Sequence, residues 1–105
     1  MFRVILVTAP RKEAERLARR LLEERLVACA NLVRDVRSLY WWQGRLGKAT
    51  ETLLILKAPR RNVERLIRRV KELHPYEVPE IVALPVEKAY RPYAEWVEKE
   101  TAHGR

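Results

Sequence analysis

Four strand-length apolar runs alternate with two stretches whose apolar residues recur at helical spacing, and this order restricts the chain to few folds. Phe2–Thr8 is short and rich in Val and Ile, and its length and composition predict a strand buried on both faces. Ala9-Pro10 ends it. Ala14, Leu17, Ala18, Leu21 and Leu22 then form one helical stripe, with Glu15 and Arg19 a favourable pair on the other face. Leu26–Tyr40 contains neither Gly nor Pro and reads as a long strand. Val27, Cys29, Asn31 and Val33 share one of its faces, and Ala28, Ala30 and Leu32 the other. Small residues on one face predict a helix or sheet packed close against it. Arg34-Asp35 interrupts the apolar run and predicts a bulge. Gln43–Lys48, with two glycines, reads as a hairpin turn, and Thr52–Lys57 as the returning strand. Val63, Leu66, Ile67, Val70 and Leu73 form a second helical stripe before Pro75, and Ile81–Leu84 is a fourth strand. Pro92, Tyr93, Trp96 and Val97 predict a short final helix, followed by a frayed tail over 101–105.

The order βαββαβ plus a terminal helix predicts an α+β, ferredoxin-like sandwich: an antiparallel sheet with both main helices on one face. The expected organisation is one domain over 1–105. No third major helix is available to cover the open sheet face, and Trp41 and Trp42 are poorly suited to water. The expectation is an oligomer in which sheet faces or hairpins pack between chains, with Tyr40, Trp41 and Trp42 at the interface.

Composition narrows the function classes. No run approaches the length of a membrane span, so no membrane partner is expected. The strand-like N-terminus is too short for a signal peptide. The single cysteine excludes an intramolecular disulfide and a multi-cysteine zinc site, and its reduced form points to the cytoplasm. With 22 basic and 14 acidic residues the formal charge is +8. That balance suits either polyanion steering or a solvated, heat-adapted surface rich in ion pairs. The basic second helix raises an RNA-associated module as one alternative. Leu53–Leu56 lacks the aromatics on which such sheets stack bases, so no specific nucleic acid is expected. No Gly-rich phosphate loop or nucleophile elbow is present, and the chain is read as a non-enzyme.

Three segments carry a family signature: Ala28-Cys29-Ala30-Asn31-Leu32, Ser38-Leu39-Tyr40-Trp41-Trp42-Gln43-Gly44 and His74-Pro75-Tyr76-Glu77-Val78-Pro79-Glu80-Ile81. With Thr8-Ala9-Pro10 and Tyr93-x-x-Trp96 they span nearly the whole chain. In this order and spacing the chain resembles CutA, the divalent-cation tolerance family. The resemblance implies a compact homotrimer in which the second and third strands pair across subunits, similar in architecture to PII signalling proteins. It also implies a binding or signalling role in tolerance of copper or another divalent cation. No organic cofactor is implied, and ligand sites fall at inter-subunit clefts. A PII-like metabolite sensor without a metal role is the alternative.

The candidate metal ligands are Cys29 and His74. Cys29 reads either as a small buried hydrophobe or as a soft copper ligand. His74 reads either as a helix C-cap or as a ligand at a cleft edge. Val7 and Leu73 stand where some members of the family carry a cysteine and a second histidine, so His74 alone remains of that constellation. A lone imidazole makes a weak copper site. Tyr40, Trp42, Lys57, Tyr76, Glu77 and Glu80 are the candidate residues of the inter-subunit cleft.

Overall fold

The computed structural model describes residues 1–102. Its elements are β1 (Arg3–Ala9), α1 (Arg11–Glu23), β2 (Cys29–Trp42), β3 (Arg45–Ala58), α2 (Val63–Leu73), β4 (Ile81–Pro85) and α3 (Arg91–Thr101). A 3₁₀ turn over Arg60–Asn62 leads into α2. The strands form one antiparallel sheet in the order β2-β3-β1-β4. This is the ferredoxin-like βαββαβ arrangement with an added terminal helix.

Strand alternation divides the sheet into two unlike faces. Ile5, Val7, Leu54 and Leu56 point toward the helices and are fully buried against Ala14, Leu17, Leu21, Leu66 and Val70. Ala30 and Leu32 join this core from β2, so Ala30 lies under the helix layer, while Ala28 precedes the strand and Val27, expected on the other face, is buried in the core. The opposite face carries Val4, Leu6, Val33, Leu53, Ile55, Val82 and Leu84, and none of these is fully buried. β1 is therefore sealed on one face only, because both main helices pack on the same side.

Local backbone chemistry sets the boundaries. Arg25 adopts a left-handed conformation (φ 59°) just past α1, and the Leu26 N–H donates to the Leu21 carbonyl at 3.1 Å. This six-to-one bond turns the chain sharply into β2. Gln43 and Gly44 both have positive φ, 51° and 78°, and Trp42 pairs with Arg45. The hairpin turn is thus a two-residue mirror-image turn matched to strand twist. The expected turn over Gln43–Lys48 is too long: Arg45–Lys48 is paired strand, because two residues suffice to reverse the chain.

The final segment also differs from expectation. Thr101 is buried, and its hydroxyl donates to the Val97 carbonyl at 2.8 Å, so α3 runs through it. Residues 103–105 of the expected tail lie outside the described residues. Arg25 donates to the Glu100 carbonyl and carboxylate, and Arg61 pairs with Glu98 at 2.6 Å. These contacts tie α3 to the ends of both helical connections. Arg69 bridges Glu24 and Glu72 and links α2 to the end of α1. The arginine hydrogen bonds hold the Glu24 carboxyl below its usual range.

Candidate functional site

β1 pairs with β3 only over Thr52–Ala58, whereas β2 continues to pair with β3 out to Trp42 and Arg45. The remaining seven pairs form a two-stranded arm about 23 Å long. A two-stranded ribbon has marginal stability in water. This one exposes Leu39, Trp41 and Leu46 at 73%, 71% and 72%. Trp41 and Leu46 are cross-strand partners, so their apolar surfaces adjoin.

The expected bulge determines which residues face the base of the arm. Val33 pairs with Leu53 but Val36 pairs with Glu51, so β2 gains one residue at Arg34-Asp35. Asp35 takes up the irregularity with φ of 62°. The extra residue inverts the side-chain parity of β2. Val36, Ser38, Tyr40 and Trp42 consequently lie on the same face as Glu51, on the sheet's open side. Tyr40 lies over Gly47: a Cβ there would come within 2.5 Å of the Tyr40 ring.

A groove of about 680 Å³ opens where the arm meets the 75–80 loop. It gathers Tyr40, Trp42, Tyr76, Glu77 and Glu80, with Thr8, Glu51 and Trp41 also in its wall. The volume is in the range of small-molecule sites. Three carboxylates face one guanidinium, that of Arg37. The groove is therefore locally acidic on a chain of net charge +8.

Glu51 is the residue that sequence reasoning missed. It is 7% exposed, and its Oε2 accepts the Tyr76 hydroxyl at 2.8 Å. No ion pair to Glu51 occurs among the described residues. A buried carboxylate held only by a neutral phenol lacks the counter-charge that such groups need. Parity with Leu53 and Ile55 places it on the open face, but its partner comes from the distant 75–80 loop. Burial and the Glu51 carboxylate push the Tyr76 phenol up to about 12. The phenol is near 10 in the unfolded chain, so its protonated form stabilises the fold below pH 10. That stabilisation is lost as pH rises from 10 through 12. Unfolding free energy measured against pH should fall less steeply over this window in Tyr76→Phe than in the parent; identical slopes would refute the Glu51–Tyr76 coupling.

His74 ends α2, its N–H donating to the Val70 carbonyl at 2.8 Å. Its side chain does more than complement the helix end. Nε2 lies 2.7 Å from the Thr8 carbonyl, and Nδ1 accepts the Tyr76 N–H at 3.1 Å. A carbonyl can only accept and an amide N–H can only donate, so the ring proton is on Nε2. The imidazole also packs tilted against Tyr76, centroids 4.8 Å apart. Both nitrogens are engaged, and a metal ion at His74 would have to displace one of these bonds. The observed role of His74 is to hold the 75–80 loop against β1.

Cys29 and Lys57 lie elsewhere. They are cross-strand partners, and Lys57 also pairs on its other side with Val4. Thr8, beside His74, is four residues further along β1, about 13 Å away. The Lys57 amine donates to Asn31 Oδ1 and lies 4.0 Å from Cys29 Sγ. Burial, with Cys29 alongside, raises the Tyr93 phenol above its ordinary value. Lys57 therefore does not line the groove, and Cys29 and His74 make no nucleophile–base contact: the imidazole is already bonded on both sides. Among the described residues no group of three or more His, Cys, Asp or Glu is placed to hold a metal ion.

A family model for the CutA1 divalent ion tolerance protein matches residues 3–100. The divalent-cation tolerance protein CutA of Thermus thermophilus is 45% identical over 102 residues, covering 96% of this chain and 99% of that protein. Human protein CutA is 42% identical over 96 residues, which is 90% of this chain but 54% of the human protein. Among solved structures, the Thermus thermophilus Cut A1 protein superposes with a TM-score of 0.92 at 44% identity, covering 95% of this chain and 98% of that one. A PII-like protein CutA from Nostoc, in apo form, gives 0.90 at 40% identity, covering 94% and 96%.

Proposed function

Because the chain belongs to the CutA1 divalent ion tolerance family, we propose that it is a homotrimeric, PII-like binding protein whose groove at the root of the arm receives a cation. The observation that carries this reading is Glu51: a buried carboxylate in an acidic groove, with only a phenol as partner. A bound cation supplies the missing charge. Divalent-cation tolerance follows as the physiological consequence of such binding, without a catalytic step. The groove's donors are oxygens, a set that disfavours copper, and no three ligating side chains among the described residues converge there as a metal centre would require. Titration calorimetry with magnesium, manganese and copper salts tests it. Binding that weakens at least tenfold in Glu77→Gln is expected, and undiminished binding in that variant would remove the groove from the account.

Trimerisation is the second half of the proposal. The exposed Trp41–Leu46 face of the arm and, on the opposite, open side of the sheet, Val33, Val82 and Leu84 are the two surfaces that other copies would cover. Light scattering should give a trimer mass at micromolar concentration, and Trp41→Glu with Leu46→Glu should shift the protein to smaller species. A parent protein that runs as a monomer would defeat this reading.

A further inference from the structure

Resting on the reading of the groove as a cation receptor, we infer that the groove takes organic cations of the alkylammonium class, with di- and polyamines as its best-fitting members. Three observations point there. The cavity of about 680 Å³ is far larger than a metal ion needs, and the described residues contain no convergent set of three metal-ligating side chains. Glu51, Glu77 and Glu80 all line the cavity without forming a three-ligand cluster. A chain carrying two or more ammonium groups spans separated carboxylates in a way that a single ion does not.

The second observation is the aromatic wall. Tyr40 and Trp42 lie on the same strand face as Glu51, and Tyr76 hydrogen-bonds to Glu51 across the groove. Ammonium groups and their polarised methylenes are attracted to ring faces, and Trp is the strongest such partner. Aromatic rings beside a carboxylate satisfy both halves of an alkylammonium ion: the rings take the apolar stem and the carboxylate takes the N–H donors.

The third observation is the contrast with the rest of the molecule. A chain of net charge +8 repels polycations at long range, so amine binding through scattered surface charge is disfavoured. Amine capture measured on such a chain would therefore report the groove's local chemistry.

The test uses the whole protein and calorimetric titration with 1,4-diaminobutane, tetramethylammonium and the neutral isostere 1,4-butanediol, alongside magnesium. Saturable binding of the diamine, one per chain, is expected, with no heat from the diol. Glu77→Gln should weaken diamine binding at least tenfold and Trp42→Leu about fivefold. Should Trp42→Leu fail to assemble, Glu77→Gln, at an exposed loop position, still decides. Magnesium binding that depends on Glu77 without diamine binding would overturn the inference and leave the cation reading standing. Absence of binding by every cation would overturn both.

Discussion

Leu56→Ala is expected to lower unfolding stability by about 3 kcal/mol per chain, among the largest effects of any single truncation in this protein. Leu56 is fully buried in β3, flanked across the ladder by Ile5 and Ala30. Its side chain lies in the cluster formed by Ile5, Leu54, Leu66 and Val70. Removing it takes away the transfer free energy of three carbons and leaves a void that two regular strands and the helix layer cannot collapse to fill. Denaturant unfolding at matched protein concentration measures the change, since association couples stability to concentration. A loss below about 1 kcal/mol would mean that the core relaxes around the site, contrary to the packing described.

His74→Ala is expected to cost a similar amount, about 3 kcal/mol, by a different route. The substitution strands the Thr8 carbonyl and the Tyr76 N–H, both bonded to the imidazole in the parent, and removes the ring contact with Tyr76. Leaving partly buried polar groups without partners is costlier than the mean worth of the bonds themselves. A second readout separates this from simple loss of packing. With the 75–80 loop released from β1, the Tyr76 phenol should move down from about 12 toward its ordinary value, visible by absorbance titration. A variant that keeps both stability and the raised Tyr76 titration would show that the imidazole does not hold the loop.

Much of this architecture was legible in the residues because local signals agreed. The two helical stripes, the Arg34-Asp35 interruption and the presence of a hairpin turn starting at Gln43 each match an observed element. The stretch Arg45–Lys48 reads as a loop because one glycine and two charges mimic one. Its pairing is imposed by Leu39–Trp42 across the ladder and by the room Gly47 leaves for the Tyr40 ring. Tyr40, Trp42, Tyr76, Glu77 and Glu80 are brought into one groove, while Lys57 belongs to the Cys29–Asn31 neighbourhood. That separation depends on sheet register, which no local pattern records. The same is true of Glu51, whose importance lies in a contact with a residue 25 positions away. His74 was recognisable as a helix end, but its bonds to Thr8 and Tyr76 arise only once α2 lies across β1.

The single surplus residue near Asp35 works as a switch of address for everything beyond it. Excising that residue would leave the composition almost untouched, yet it would swap the outward and inward tenants of half the hairpin. Leu39 and Trp41, which now reach the groove from the other face, would move onto the face that carries Glu51, and Tyr40 and Trp42 would leave it. A one-codon change could thus trade a receptor wall for a docking surface without altering any aromatic side chain.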